Sequence, residues 1–437
     1  MLDGKQLARR IFLETLQAID IPAAFHSKLA RVGSRIEVGG ARVDLAEFSR
    51  IQAIAIGKAS VALASGLAGV LAPDFRCEGI LACPVIPTEP PHGFHAFAAG
   101  HPLPNAESFA AARAILNLLA TADARTLIFF LLSGGGSSLV ELPLDPSATL
   151  EDVQALNRLL VTCGAPIDEI NAVRKHLSAV KGGRLAAAAP AAMKITLGVT
   201  DVPEGLESAL ASGPTLPDPT TVADACRVVE SYALLEKLPA TIRAKFEKPA
   251  SIPETPKADH PAFRRAKFQI LLGRHDLFHP AHMASEGEGY VTICDNTTDD
   301  WPLSRASDYL LAQLAELKRV NPGRHAAVIA DGEVSSPVTG NGIGGRNSAF
   351  VLDCVEKIAG KKITVLSAGT DGIDGVSPAA GAVADGESFA RARALGLDPD
   401  DYFRRSDSYT FFKALGDAIE TGPTGNNLRD LRILLAD

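Results

Sequence analysis

Three serines and three glycines stand together at Ser133, Gly134, Gly135, Gly136, Ser137 and Ser138. Lacking side chains, the glycines let backbone N–H groups approach an anion closely, and the serine hydroxyls add donors that water can satisfy. Phosphate binding and a plain strand-to-helix turn are both open readings of this loop. No Gly-Lys-Ser/Thr follows, so it is not a Walker A loop, and its spacing is not Gly-x-Gly-x-x-Gly. Two cations could serve such an anion. Lys58 lies in Gly57-Lys58-Ala59-Ser60, at the start of a helix, where a lysine opposes the dipole unless it meets a bound anion; the alternative is a solvated surface lysine. Arg346 follows four glycines within 340–345 and precedes a helix, which would hold a guanidinium beside an N-terminus that favours anions.

Carboxylates complete the set. Asp201 lies in Thr200-Asp201-Val202-Pro203-Glu204-Gly205, Glu333 follows Asp331-Gly332, and Asp371 and Asp374 share the loop 369–375. Paired aspartates on a glycine loop suit Mg²⁺ with retained waters, or equally a pair of Asx-turns. A local basic cluster comprises Arg174, Lys175, Lys181 and Arg184, with Asn171, Lys175 and Ser178 on one polar helix face; it is a solvated face or a phosphate-facing one. His92, His95 and His101 read as polar loop residues. Pro280 interrupts any helix that would align His275, His279 and His282 as metal ligands.

The positioning elements are strands. Apolar runs at 51–56, 127–132, 195–199, 326–330 and 363–368 each end in one of these small-residue loops. The run 127–132 is unbroken, as for a strand buried on both faces. Helical patterns at 61–71 and 106–120 alternate with strands, which predicts right-handed βαβ units and a mostly parallel sheet. Open α/β sheets bind ligands at the carboxyl ends of their strands. Residues 3–19 predict an amphipathic helix stopped by Ile21-Pro22, and hydrophobic patterning fades between 239 and 261, the expected domain junction. The reading is therefore α/β with two domains, 1–245 and 262–437, the second opening with a strand at 268–272.

Composition bounds the function. At 437 residues and roughly 150 per domain, two or three units are expected. Forty-three Lys and Arg against 51 Asp and Glu give a net charge of -8, which argues against nucleic-acid or anionic-membrane partners, so an anion site must be local. The six cysteines form no C-x-x-C pair and read as reduced, mostly core thiols. The charged N-terminal helix does not read as a signal peptide, and no window approaches about 18 consecutive apolar residues, so a cytoplasmic protein is expected. Amide cradle, cations and carboxylates are the parts of phosphoryl transfer. No Gly-x-Ser-x-Gly elbow favours a hydrolase, and no dinucleotide fingerprint favours a dehydrogenase.

In order, SGGGSSLVELP, INAVRKHLSAVKGGRLA, ASGPTLPDPTT, GIGGRNSAF, AGTDGIDGVSPAAGAVADG and TGPTGNN resemble the class II glycerate 2-kinases, the MOFRL glycerate kinases, across nearly the whole chain. The resemblance implies a Rossmann-like N-terminal domain with a mostly parallel sheet flanked by helices, and a smaller C-terminal α/β domain. It implies ATP and Mg²⁺, and conversion of D-glycerate to 2-phosphoglycerate in the cleft between domains, with Lys58 and Arg346 as the essential lysine and arginine. On this reading Lys58, Arg346 and Asp201 are catalytic, and Ser133 to Ser138, Lys175, Lys181, Glu333 and Asn347 bind phosphate or nucleotide. Asn171, Arg174 and Arg346 bind substrate, and Asp201, Asp371 and Asp374 hold the metal. The partners are small molecules, with a homodimer possible. The chain departs from the family's pattern where Gly-Gly-Glu becomes Asp331-Gly332-Glu333 and Gly-Ser-Asn becomes Gly273-Arg274-His275, and also at Thr200 to Gly205. The alternatives are a hydroxypyruvate reductase and a catalytically degenerate binder of sugar acids or nucleotides.

Overall fold

The structure is a computed structural model that describes residues 3–437 apart from 201, 203, 204 and 427. The chain forms two compact units, Ile21–Leu271 and Met1–Asp20 with Leu272–Asp437. The N-terminal helix thus departs from the expected 1–245 domain. In α1 (Gly4–Ala18), capped by Asp3, the face carrying Leu7, Ile11 and Phe12 is buried. Lys5 is ion-paired to Asp385 and Asp417, and Arg9 donates to the Ala418 carbonyl, both within the second unit. α1 stops at Ala18, ahead of Ile21-Pro22 as expected, and a second helix, α2 (Ile21–Lys28), begins there; Pro22 falls in its first turn, where no N–H is required.

The first unit then runs β1 (Arg50–Ile56), α3 (Ser60–Leu71), β2 (Glu78–Cys83), β3 (Phe94–Ala98), α4 (Ala106–Ala120), β4 (Thr126–Leu132), α5 (Leu150–Thr162), α6 (Ile167–Leu177), β5 (Met193–Val199), α7 (Val222–Ser231), α8 (Ala240–Phe246) and β6 (Ala266–Leu272). Its six-stranded sheet has the order β3-β2-β1-β4-β5-β6, and β3 through β5 are parallel. All seven residues of β4 are buried, as its apolar run predicts. The run at 268–272 is an edge strand of this sheet and does not open the second unit. Residues 239–261 are likewise folded in, with Ile242, Phe246 and Ile252 buried against α5, α6 and α7. The sheet grows outward from β1 to β3 and then returns to β4 on the other side of β1. The order of strands therefore reverses between β1 and β4, the topological position at which α/β sheets open a crevice.

The second unit continues with α9 (Arg274–Gly287), β7 (Tyr290–Asp295), α10 (Leu303–Val320), β8 (His325–Asp331), α11 (Arg346–Lys357), β9 (Ile363–Gly369), β10 (Gly381–Asp385), β11 (Ala418–Ile419) and β12 (Asp430–Ala436). The sheet order is β7-β8-β12-β9-β10-β11, mixed because β12 runs antiparallel between β8 and β9. That insertion brings the end of β8, the end of β9 and the start of β12 to one edge: Asp331 lies opposite Leu431, and Gly369 opposite Asp430. α9 runs through Pro280 where the sequence predicts a break, and its buried Leu277, Ala281 and Ser285 hold it. All six cysteines are free, but only Cys83 and Cys354 are buried, fewer than the composition suggests.

Candidate functional site

Lys58 follows β1 and the glycine loop follows β4, so the reversal of strand order places them side by side. The Lys58 amide donates to the Gly134 carbonyl at 2.9 Å, and the Ser133 amide to the Ile56 carbonyl at 2.9 Å. The buried Ser133 hydroxyl accepts from the Ala59 amide at 3.0 Å. Gly57, at φ +130°, passes so close to Ser133 that any Cβ would collide with it. Ser133 therefore latches the two loops and does not face a ligand, whereas Gly134, Gly135, Ser137 and Ser138 are part-exposed and the Lys58 side chain is exposed. His101 packs on the same loop, with Nδ1 3.1 Å from Ser138 Oγ. Ser138 Oγ also reaches the Gly135 carbonyl at 3.2 Å; in the tautomer in which it donates there, Nδ1 donates to Ser138 and Nε2 is the basic nitrogen. Desolvation and then the Lys58 charge lower the His101 pKa, which keeps the ring neutral near pH 7. Sequence reading passed over His101; its only signal was its place in the loop after β3.

The other side of the loop is tied down. Ser137 Oγ lies 2.8 Å from Ser212 Oγ, which donates to Asn171 Oδ1 at 3.0 Å. Ala211, Ser212 and Gly213 are all left-handed, at φ 51°, 60° and 61°, a run that two non-glycine residues adopt only under strain. Asn171 is buried on α6 and so supports the loop through Ser212; it is not itself open to a substrate.

The two lysines of the basic cluster prove to be internal. Lys175 donates to Asp218 at 3.1 Å with both side chains buried. Buried Lys181 pairs with Glu141, which also accepts from Ser178 Oγ at 2.6 Å. Burial lowers the Lys181 pKa while Glu141 opposes the shift. An unpaired charge could not remain in such surroundings, so each lysine is matched to a carboxylate, and the expectation that they face a phosphate is corrected. Arg174 donates from Nε to Asn157 at 2.8 Å and lines a cavity that no glycine-loop residue borders.

In the second unit Arg346 is the first residue of α11. Its Nε donates to Asp430 Oδ2 at 2.5 Å, Nη2 to Oδ1 at 3.3 Å, and Nη1 to Glu333 at 2.7 Å. Burial works against the guanidinium charge, but Asp430 and then Glu333 outweigh it and raise the pKa further. Asp299 braces this arrangement, accepting from the Glu333 amide at 3.0 Å and from Arg429 at 2.6 Å. The positive end of α11 is already occupied. Buried Asp374 accepts from the Asn347 amide at 2.9 Å, the Ser348 amide at 2.8 Å and Ser348 Oγ at 2.5 Å. Burial pushes its pKa up to about 6 against these bonds. Asp374 thus caps a helix and is not offered to a metal, and buried Asn347, whose Oδ1 accepts from Ser367 Oγ at 2.6 Å, is structural and does not meet nucleotide.

Asp331, at the end of β8, is fully buried, and neither carboxylate oxygen has a hydrogen-bond partner among the described residues. Its nearest cation is Arg274, with Nε 3.3 Å from Oδ2. Burial pushes the Asp331 pKa up to about 6, with Arg274 and Arg429 opposing. Below it, buried Arg432 donates to the Gly332 carbonyl at 2.9 Å and packs against the Phe350 ring. Two of the departures from the glycerate kinase motifs, Arg274 and Asp331, therefore meet in one ion pair.

Asp201 lies outside the described residues. Among those described, no three His, Cys, Asp or Glu side chains gather as a metal site. Mg²⁺ commonly relies on one or two carboxylates with waters and substrate phosphates, so the donor set suits a cation arriving with nucleotide better than a resident one. Asp371, part-exposed, with one oxygen accepting from the Ile373 amide at 3.1 Å, is the described carboxylate that fits this role.

Residues 7–247 match the family model described as "Domain of unknown function (DUF4147)", and residues 326–430 match the MOFRL family. A D-glycerate 2-kinase from Thermotoga maritima is 35% identical over 388 residues, 88% of this chain and 90% of that one. The chain belongs to the MOFRL glycerate kinase family. The crystal structure of a glycerate kinase from Thermotoga maritima superposes with a TM-score of 0.83 at 31% identity, covering 99% of each chain. An Agrobacterium vitis relative, provisionally named a hydroxypyruvate reductase, is 35% identical over 451 residues, 99% of this chain and 95% of that one. Among the glycerate kinase motifs of this chain, GGGSS lies at a strand end and GIGGRNSAF at the start of α11, as predicted, while INAVRKHLSAVKGGRLA supports the loop from behind.

Proposed function

We propose that the protein is an ATP-dependent glycerate 2-kinase, transferring the γ-phosphoryl group to the 2-hydroxyl of D-glycerate. The carrying observation is the Lys58 amide bonded to the Gly134 carbonyl at the strand-order reversal, in a chain of the glycerate kinase family. The part-exposed residues of the glycine loop present backbone to phosphate oxygens, and Lys58 neutralises charge on the transferring group. His101, neutral and basic at Nε2, accepts the hydroxyl proton. Arg346, pre-shaped by Asp430 and Glu333 into a planar fork, grips the acceptor carboxylate by exchanging Glu333, the more exposed of its two partners. Bound Mg²⁺ would supply charge neutralisation at the β- and γ-phosphates, with Asp371 and Asp201 as the carboxylates to hold it.

Steady-state ADP release from ATP-Mg²⁺ tests this reading. Release that depends on D-glycerate supports it, and no release with glycerate or related 2-hydroxy acids contradicts it. The reductase name of the Agrobacterium vitis relative makes NADH oxidation with hydroxypyruvate the matching control. No nicotinamide fingerprint follows any strand, so none is expected.

A further inference from the structure

The first unit contains a second ligand-shaped feature, a cavity of about 160 Å³ among α5, α6, α8 and the segments 141–148 and 251–253. Leu144, Val153, Leu156, Ile242 and Ile252 supply apolar walls. The volume is on the order of the 150 Å³ that an apolar cavity needs to hold one benzene ring. Two cations line it, Arg174 and Lys245. Arg174 uses Nε on Asn157 at 2.8 Å, and its Nη1 and Nη2 have no partner among the described residues. Arg174 has no ion pair of its own among the described residues. Glu141 is shared between Ser178 and Lys181, and Lys245 pairs with Asp145 at 2.8 Å, so both of those pairs are internally balanced. His176 is occupied by the Ala172 carbonyl and Glu254. Desolvation lowers the Arg174 pKa, and the Glu141 charge, already committed to Lys181, opposes the shift without cancelling it.

We propose that this cavity binds a small monocarboxylate with a compact apolar body, aromatic or branched aliphatic, its carboxylate bridging Nη1 and Nη2 of Arg174. Two parallel N–H···O bonds match the guanidinium fork, and the ring or branched chain fills the walls. A polyhydroxy acid such as glycerate would leave hydroxyls unpaired against leucine and isoleucine, and a phosphate ester would bring two charges to Arg174, since Lys245 is already paired with Asp145. The site is thus separate in chemistry and in lining from the glycine loop. It is nevertheless carried on the helix that supports that loop, since Asn171 of α6 holds Ser212 and through it Ser137.

Isothermal titration of the full chain with benzoate, and with benzyl alcohol as the uncharged analogue, tests the site. Saturable one-to-one benzoate binding, at least tenfold weaker for benzyl alcohol and for Arg174→Met, is the expected result. Leu156→Trp, which fills the cavity and leaves Arg174 in place, abolishes it. Should Arg174→Met lose its native circular dichroism, the benzyl alcohol comparison and Leu156→Trp decide alone. Absence of saturable benzoate binding, or equal binding of alcohol and acid, overturns the proposal.

Discussion

The Arg346 guanidinium lies along the Asp430 carboxylate, Nε to Oδ2 at 2.5 Å and Nη2 to Oδ1 at 3.3 Å. It is held in a plane before any substrate arrives, so its role depends on shape as well as charge. Arg346→Lys keeps the charge and loses the fork. Steady-state kinetics should show kcat/KM down about 100-fold or more in both Arg346→Lys and Arg346→Ala. Because Asp430 is buried and Arg346 only partly so, Arg346→Ala also costs about 1–2 kcal/mol of stability by denaturant titration. Lysine restoring near-normal turnover would contradict the fork.

The Arg274–Asp331 pair predicts strong coupling. Arg274→Ser alone leaves a buried carboxylate with a weakened counter-charge, and Asp331→Gly alone leaves a half-buried arginine. The double variant should be more stable than the sum of the singles by about 1–3 kcal/mol. Additive losses would show that the two side chains do not interact.

The same aspartate sets a pH dependence. Its folded pKa of about 6 stands above the ordinary carboxylate value of about 3.9, so between these the folded state holds a proton the unfolded state has lost. The stability it contributes is full below about pH 4 and is lost as pH rises through about 6. Asp374 adds a dependence of the same sign, so the comparison must be with Asp331→Asn. The wild type should lose about 2 kcal/mol relative to that variant between pH 4 and pH 7. A flat difference would contradict the buried, protonated carboxyl.

The Lys58 charge helps set the titration of His101. Lys58 lowers the His101 pKa, so the ¹H–¹⁵N-detected pKa of His101 should rise in Lys58→Met. Activity should fall as pH drops through the His101 pKa, and His101→Gln should abolish that acid limb while lowering kcat about 100-fold. An unchanged acid limb in His101→Gln would remove the ring from proton transfer.

The left-handed run beside the glycine loop gives a stability prediction. Ala211, at φ 51°, is strained by its Cβ, and Ala211→Gly should raise stability by about 0.5–1 kcal/mol in thermal unfolding. Ser212→Ala, which cuts the link from Ser137 to Asn171, should lower kcat/KM with the fold intact.

What the sequence disclosed was local. The apolar run at 127–132 and its glycine loop announced a buried strand and a ligand-bearing turn because both signals lie in consecutive residues. The ordering of strands, and hence the meeting of Lys58 with the loop, needed the tertiary fold. Lys175 and Lys181 read as a basic surface because their partners, Asp218 and Glu141, stand about forty residues away and no spacing encodes the pairing. Asp374 read as a metal ligand for the same reason, since the helix it caps begins 28 residues earlier, at Arg346. The N-terminal helix showed its apolar face plainly, but not which sheet would cover it.

The central claim is tested most directly by the identity of the product. With ATP-Mg²⁺ and D-glycerate, the protein should yield an acid that enolase converts immediately, the mark of phosphorylation at the 2-hydroxyl. A product that enolase converts only after phosphoglycerate mutase is added would place the phosphate on the 3-hydroxyl, and no glycerate-dependent product at all would contradict the account.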